Sequence, residues 1–275
     1  MDLQKKYNLL KVNLSKLEKV AVAFSGGVDS SLLLKVAVDT LTPQNVLACY
    51  AVGPSQSEFE RKTAIDFAAS LAVRLIQVPT DEISDPDYIA NNPDRCYHCK
   101  THIMTEIKKA VHELGFENIL CGNNADDEND FRPGNRAVKE QFAISPLLDA
   151  NLSKADIRQL SRQLNLSSAE APSSPCLASR IAYNLEITAE RLKQIEQAED
   201  YLRQLGFVEF RVRHHGDTAR IEVLPTHINK VISQRNEISE KLKSIGFKYV
   251  TLDLQGHRSG SLNEALSTED KKRFI

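Results

Sequence analysis

Leu3, Tyr7, Leu10, Leu14 and Leu17 recur at spacings of four and three, the period of a single helical face, and predict an amphipathic helix at the start of the chain. The pattern then changes. Val20-Ala21-Val22-Ala23-Phe24 is a short unbroken apolar run, as in a strand buried on both faces of a parallel sheet. The loop Ser25-Gly26-Gly27-Val28-Asp29-Ser30 leads from it into an apolar helix at about residues 30–40. Further strands are predicted over 46–52, 74–78 and 118–121, and further helices over 58–71 and 97–114. Strands alternating with helices predict an α/β fold built on a doubly wound parallel sheet. Ligands of such sheets bind beyond the carboxyl ends of the strands, where the glycine loop lies.

After residue 164 the character shifts. A Pro/Ser-rich stretch at 171–175 leads to Cys176. From 188 the order becomes helix (to 205), strand (208–213), strand (219–224), helix (228–245) and strand (249–254), which predicts a second, smaller α+β domain. The expected division is 1–182 and 183–275. No repeat or low-complexity tract interrupts either part.

Composition narrows the classes of partner. With 275 residues there is ample chain for two cores, and 41% hydrophobic with 26% charged residues is ordinary for a soluble globular protein. A net charge of -2 argues against a broad nucleic-acid-binding face. No apolar run approaches the ~18 residues needed to span a membrane. The opening Met1-Asp2-Leu3-Gln4-Lys5-Lys6 lacks the basic-then-apolar pattern of a signal peptide. The expected location is the cytoplasm, with neither nucleic acid nor membrane as partner. Cys49, Cys96, Cys99, Cys121 and Cys176 are odd in number, which disfavours a disulfide framework. Cys49 and Cys121 lie in or beside apolar runs and read as core.

The glycine loop is suited to an anion. Glycines let the backbone curl close to a phosphate, and the open amides of a first helical turn face it. Ser25 and Ser30 add hydroxyls. Asp29 would repel phosphate unless a cation lay between them, so it implies Mg²⁺. The loop is neither a Walker A sequence nor GxGxxG; the plain alternative is a strand-helix turn with an Asp/Ser cap. Ser-Gly-Gly-Val-Asp-Ser resembles the pyrophosphate loop of the ATP pyrophosphatase, or PP-loop, superfamily. That resemblance implies binding of ATP, its cleavage to AMP and pyrophosphate, and adenylation of a carboxylate or carbonyl oxygen on a second substrate.

Three further segments are similar to one branch, the LarE family of ATP-dependent sulfur transferases in nickel-pincer nucleotide biosynthesis. They are Arg95-Cys96-Tyr97-His98-Cys99-Lys100, Gly122-Asn123-Asn124-Ala125-Asp126-Asp127 with Asp130-Phe131-Arg132-Pro133-Gly134, and Pro175-Cys176-Leu177-Ala178-Ser179-Arg180-Ile181. The resemblance runs over about 17–261. One departure is Ala171, where the family pattern has a Lys. The resemblance implies a pyridinium mononucleotide substrate, Cys176 as the sulfur-bearing residue (in one version giving up its own sulfur and becoming dehydroalanine), and a homo-oligomer, trimer or hexamer, with Glu199 and Glu222 at a subunit interface.

Read from the residues, Asn124 and Asp127 follow the fourth strand on the side of the glycine loop and could hold Mg²⁺ or the substrate, or form a self-capping Asn/Asp turn. Arg132 could neutralise a phosphate or cover the surface. Arg180, four residues beyond Cys176, could lower its thiol pKa if the two face each other. Arg211 and Arg213 alternate on a strand, with His214, His215 and Arg220 nearby, and could bind a substrate phosphate or form a solvated face. Cys96 and Cys99 form a CxxC that could be a redox pair, part of a zinc site with His98 and His102, or packing. With Cys176 they make three thiolates, enough for a [4Fe-4S] cluster with one open iron. Cluster-borne sulfur and self-sacrifice of Cys176 both stand at this point.

The expected enzyme adenylates a carboxylate of pyridinium-3,5-biscarboxylic acid mononucleotide with ATP and Mg²⁺ and replaces AMP with sulfur. The alternatives are a tRNA-thiolating or amide-forming PP-loop enzyme, or a non-catalytic nucleotide-binding module. A tRNA enzyme calls for a basic domain, which this slightly acidic chain lacks.

Overall fold

The computed structural model describes residues 2–128, 133–141, 143–172, 175–258, 260–267 and 269. The chain divides into two compact units, Met1–Glu82 with Cys96–Ser174, and Ile83–Arg95 with Pro175–Phe274. Sequence alone suggested a single cut near residue 182. The excursion Ile83–Arg95 joins the second unit through long-range hydrogen bonds. The Asn91 side-chain N–H donates to the carbonyls of Ala182 and Leu185, each at 2.8 Å, and the Ile187 amide to Ile89 O at 2.9 Å.

The first unit opens with helix α1 (Leu3–Ser15), capped by the Asp2 carboxylate, which accepts the Lys5 amide at 2.9 Å. Strand β1 (Val20–Ala23), helix α2 (Val28–Leu41) and strand β2 (Val46–Val52) follow. Helix α3 (Glu58–Ser70) is capped by Ser57, with Glu58 and Glu60 favourably placed in its first turn. Next come β3 (Arg74–Pro79), the short α4 (Pro86–Ile89), which belongs to the second unit, and α5 (Arg95–His112). Strand β4 (Asn118–Leu120) and helices α6 (Gly134–Glu140), α7 (Pro146–Asp149) and α8 (Lys154–Gln163) complete the unit. Ile144, just before α7, adds one isolated parallel bridge to Leu120.

The four strands are parallel in the order β3-β2-β1-β4, with Val20 opposite both Val46 and Asn118. The chain builds outward from β1 to β3, then crosses to the other side of β1 for β4. The order therefore reverses at β1, and the glycine loop follows that strand. Alternation along β1 serves two cores. Val20 and Val22 pack with Leu10, Leu14, Leu33, Val36 and Ile157. Ala21 packs with Leu47, Cys49, Met104, Ile107 and Cys121. Cys49 and Cys121 are thus core residues. Burial pushes the Cys49 thiol up to about 12 and raises that of Cys121.

The second unit holds helix α9 (Ala189–Gln204), capped by Thr188, then β5 (Arg211–His215), β6 (Thr218–Glu222), α10 (Ile228–Ser233), α11 (Arg235–Ile245) and β7 (Tyr249–Leu252). Its sheet has the order β5-β6-β7, antiparallel then parallel. Leu202, Val212, Ile221, Leu242 and Phe247 form its core. The strand expected over 208–213 begins later because Glu209 has φ +48°, which no extended strand accommodates. The helix expected over 228–245 is divided at Gln234. No helix among the described residues is long and apolar enough to cross a membrane.

Candidate functional site

In the first unit the glycine loop turns directly from β1 into α2. Gly26 has φ +77°, a left-handed conformation that favours glycine, and a side chain there would lie 3.3 Å from Ala64 Cβ. The N-cap of α2 is Gly27, which has no side chain to bond the first-turn amides. Those donors therefore face the loop, with the positive end of the helix behind them. The two serines organise the turn. Ser30 Oγ accepts the Ser25 amide at 3.3 Å, donates to Gly27 O at 3.1 Å and lies 3.2 Å from Ser25 Oγ. Gly122, just after β4, closes the floor: a Cβ there would stand 3.1 Å from Ser30 N.

Asp29 sits in the first turn of α2. Its Oδ2 accepts Lys154 Nζ at 2.5 Å, and its Oδ1 is buried with no hydrogen-bond partner among the described residues. An orphaned carboxylate oxygen beside an anion-ready helix end is the donor a Mg²⁺ ion would need, so this site fits the metal. Lys154 is a residue the sequence reading missed. It is the first residue of α8, whose start is fixed by a reciprocal capping box between Ser153 and Asp156. A cation at a helix N-terminus opposes the dipole and needs acidic company. It has two such neighbours, since its backbone N–H also donates to Asp126 Oδ2 at 2.8 Å. The Ser-x-x-Asp signature at 153–156 is the signal that would have located it.

The Asn124–Asp127 loop lies on the same side but turns its polar groups inward. Asn124 is 2% and Asp127 7% exposed. Asp127 Oδ2 accepts the Asn124 amide at 3.0 Å, and Asn124 Oδ1 accepts the Asp126 amide at 3.0 Å. Asn135 Nδ2 donates to Asp127 O at 2.9 Å. This is the self-capping turn of the plain alternative. Arg132 lies outside the described residues. Cys96, exposed, and Cys99, half-buried, are three apart on α5 and so share a helical face. His102 Nε2 accepts the Asp81 amide at 3.2 Å.

Cys176 belongs to the second unit, half-buried at the head of a 3₁₀ turn, Leu177–Arg180. Arg180 is 3% exposed and reaches back along this turn. Its Nη1 donates to Cys176 O at 3.1 Å and to Pro175 O. Its Nε and Nη2 grip both oxygens of Glu199, each at 2.9 Å. Glu199 also accepts the Val212 amide at 3.1 Å. Burial works to raise the Glu199 carboxyl pKa, but Arg180, Arg211 and that amide together hold it below the usual range. Arg180 thus meets the backbone of Cys176 and fastens the cysteine turn to α9 and β5.

The solvent-facing cationic pair expected of Arg211 and Arg213 is absent. β5 is buried from Arg211 to His214. Arg211 is 7% exposed and donates to Phe210 O at 2.5 Å. Arg213 donates to Ser179 O at 2.9 Å, Glu222 Oε2 at 2.9 Å and Ser261 Oγ at 2.8 Å. Glu222 is fully buried and also accepts Arg220 at 3.0 Å. Glu199 and Glu222 are therefore interior residues with arginine partners of their own chain, not the interface residues the resemblance implied. Alternation on β5 does group the charges, but the Cys176 turn, α9 and the segment around Ser261 supply what they face.

A parallel sheet with an uncapped helix N-terminus at its switch point defines an α/β nucleotide-binding protein of the PP-loop class. Comparison with known proteins agrees. The model of the NAD synthase family matches residues 4–122. A pyridinium-3,5-bisthiocarboxylic acid mononucleotide synthase from Lactiplantibacillus plantarum is 38% identical over 262 residues, 95% of either chain. Uncharacterized proteins of Synechocystis and Methanocaldococcus jannaschii are 39% and 36% identical, over 96% and 93% of this chain and 99% and 98% of their own. The chain belongs to the family of that synthase, the LarE family, and is an ATP-dependent sulfur transferase.

Proposed function

We propose that this enzyme adenylates a carboxylate of pyridinium-3,5-biscarboxylic acid mononucleotide with ATP and replaces AMP with sulfur, giving the thiocarboxylate. The observation that carries the reading is the glycine loop: an uncapped helix N-terminus with, at its lip, an Asp29 oxygen that has no partner among the described residues. The choice of acceptor follows the name of the 38% identical relative. Ser25, Gly26, Gly27 and Ser30 would cradle the phosphates. Mg²⁺, held by Asp29, would neutralise phosphate charge. One carboxylate oxygen of the substrate bonds to the α-phosphorus, the α–β phosphate bond breaks, and its electron pair leaves with pyrophosphate. Activation is required because oxide is a poor leaving group and AMP a good one.

Cys176 Sγ then attacks the acyl carbon and AMP departs. Loss of the Cys176 α-proton and cleavage of its Cβ–Sγ bond release the thiocarboxylate and leave dehydroalanine. Arg180 and Glu199 act as positioning residues that hold the cysteine turn.

Intact-mass analysis of the wild type and Cys176→Ala after incubation with ATP, Mg²⁺ and the pyridinium dicarboxylate mononucleotide tests this directly. The expected result is pyrophosphate release by both, with thiocarboxylate, and a polypeptide lighter by one H₂S, from the wild type alone. Release only in the presence of tRNA would overturn the acceptor. Unchanged polypeptide mass after multiple turnovers, with iron and sulfide in anaerobically purified protein, would replace self-donation by sulfur borne on a cluster held by Cys96, Cys99 and Cys176.

A further inference from the structure

We infer that a cavity in the second unit is a phosphomonoester site and that Glu264 is its internal plug, a carboxylate that occupies the Arg258 fork until a phosphate takes its place. The cavity has a volume of about 690 Å³, enough for a mononucleotide, and its lining includes His215, Arg220, Arg258, Ser261 and Glu264, all of the second unit. On the reading proposed above, on which this part rests, the ligand is the phosphate of the acceptor mononucleotide. The charges at the cavity form an alternating chain. Arg213 pairs with Glu222 at 2.9 Å, Glu222 with Arg220 at 3.0 Å, Arg220 with Asp253 at 3.7 Å, Asp253 with Arg258 at 3.7 Å, and Arg258 with Glu264 at 3.1 Å. The chain grades from core to solvent: Glu222 is fully buried, whereas the Glu264 side chain is 61% exposed. Arg258 holds Glu264 through Nε at 3.3 Å and Nη2 at 3.1 Å, the two-point geometry that Arg180 makes with Glu199 at 2.9 Å in the core. Longer contacts at an exposed position make Glu264 the link that a ligand anion can displace.

Charge and donor geometry select the ligand. With Glu264 in place, three arginines face three carboxylates; with it turned out to solvent, three face two, and the excess positive charge lies at Arg258, the solvent end of the chain. Arg220 Nε is buried and has no hydrogen-bond partner among the described residues, so a donor is available beside that fork. A phosphate has enough oxygens to engage two guanidinium groups at once, whereas the Glu264 carboxylate is held by Arg258 alone. The same chain reaches the cysteine turn. Arg213 Nη1 donates to Ser179 O at 2.9 Å, three residues beyond Cys176, and its Nη2 donates to Ser261 Oγ at 2.8 Å in the cavity lining. A mononucleotide anchored there by its phosphate is thus held in the unit that carries Cys176.

Two probes test the assignment: ribose 5-phosphate, whose only anionic group is its phosphate, and the pyridinium dicarboxylate mononucleotide. Their binding to the wild type, Arg258→Gln and Glu264→Gln is measured by calorimetry, with the glycine loop filled by a non-hydrolysable ATP analogue and Mg²⁺. Arg258→Gln is expected to weaken both probes by about tenfold or more, as for loss of a charge-assisted contact. Glu264→Gln is expected to tighten both by about threefold, as for removal of an exposed competing carboxylate. Such a gain cannot come from damage to the fold. No loss in Arg258→Gln, no gain in Glu264→Gln, or no binding of ribose 5-phosphate to any of the three proteins would overturn the site. Ribose 5-phosphate that binds and responds as expected, with no binding of the dicarboxylate mononucleotide, would leave the site standing and overturn the choice of acceptor.

Discussion

Arg180 and Glu199 form a two-point ion pair, Nε to Oε1 and Nη2 to Oε2, both at 2.9 Å, with side chains 3% and 6% exposed. Because the same guanidinium also bonds the carbonyls of Pro175 and Cys176, the pair serves the cysteine turn as well as the core of the second unit.

Breaking that pair from one side leaves a buried charge. Glu199→Ala is expected to destabilise the protein by about 3–5 kcal/mol in chemical denaturation, and Glu199→Gln by less, since the amide keeps one acceptor. A loss below about 1 kcal/mol for Glu199→Ala would show that the pair is dispensable. The acid limb should respond too. The Glu199 carboxyl is held below its unfolded value of about 4.3, so its stabilisation is complete above that pH and is lost as pH falls through the lower folded value. Glu199→Gln should flatten this limb.

His214 should shape the pH profile nearer neutrality. Burial, then Arg191, lowers its pKa to about 4, and its Nε2 lies 2.9 Å from Gln194 Oε1. The folded state therefore binds its proton less readily than the unfolded state, whose value is near 6.5. The sign makes the contribution of neutral His214 present above about pH 6.5 and lost progressively toward pH 4. His214→Gln should reduce the slope of Tm against pH in that window, whatever its effect on Tm itself. An unchanged slope would locate the titration elsewhere.

Two glycines, Gly26 in the nucleotide loop and Gly122 packed against it from the end of β4, should resist any side chain. Gly26→Ala faces both a left-handed φ of +77° and a 3.3 Å approach to Ala64 Cβ, and is expected to cost about 1–2 kcal/mol. Gly122→Ala pushes on Ser30 N from 3.1 Å and should weaken ATP binding through the first turn of α2. Full ATP affinity in a folded Gly122→Ala protein, read by calorimetry, would show that the turn yields without cost.

The cysteines should separate by reactivity. Cys49 and Cys121 are each 1% exposed and their thiol pKa values are raised by burial, whereas Cys96 is exposed. Brief alkylation of the native protein, mapped by peptide mass, should label Cys96 and spare Cys49 and Cys121 until denaturant is added. Native labelling of Cys49 at a rate like that of Cys96 would contradict the packing around β2.

The apolar run at 20–24, the glycine loop and the strand-helix alternation were enough to determine a parallel α/β fold with a phosphate-suited loop, because these features are local and periodic. The Cys176 motif was legible for the same reason. What only the tertiary structure decided are pairings between groups distant along the chain. Asp29 finds Lys154, Arg180 finds Glu199, and Asn91 ties its segment to residues 182–187. Alternation placed Arg211 and Arg213 on one face of β5, but burial of that face turned an apparent binding surface into internal ion pairs. Strand period specifies which residues share a face; whether the face meets solvent or a carboxylate depends on elements that fold against it, which no local pattern encodes.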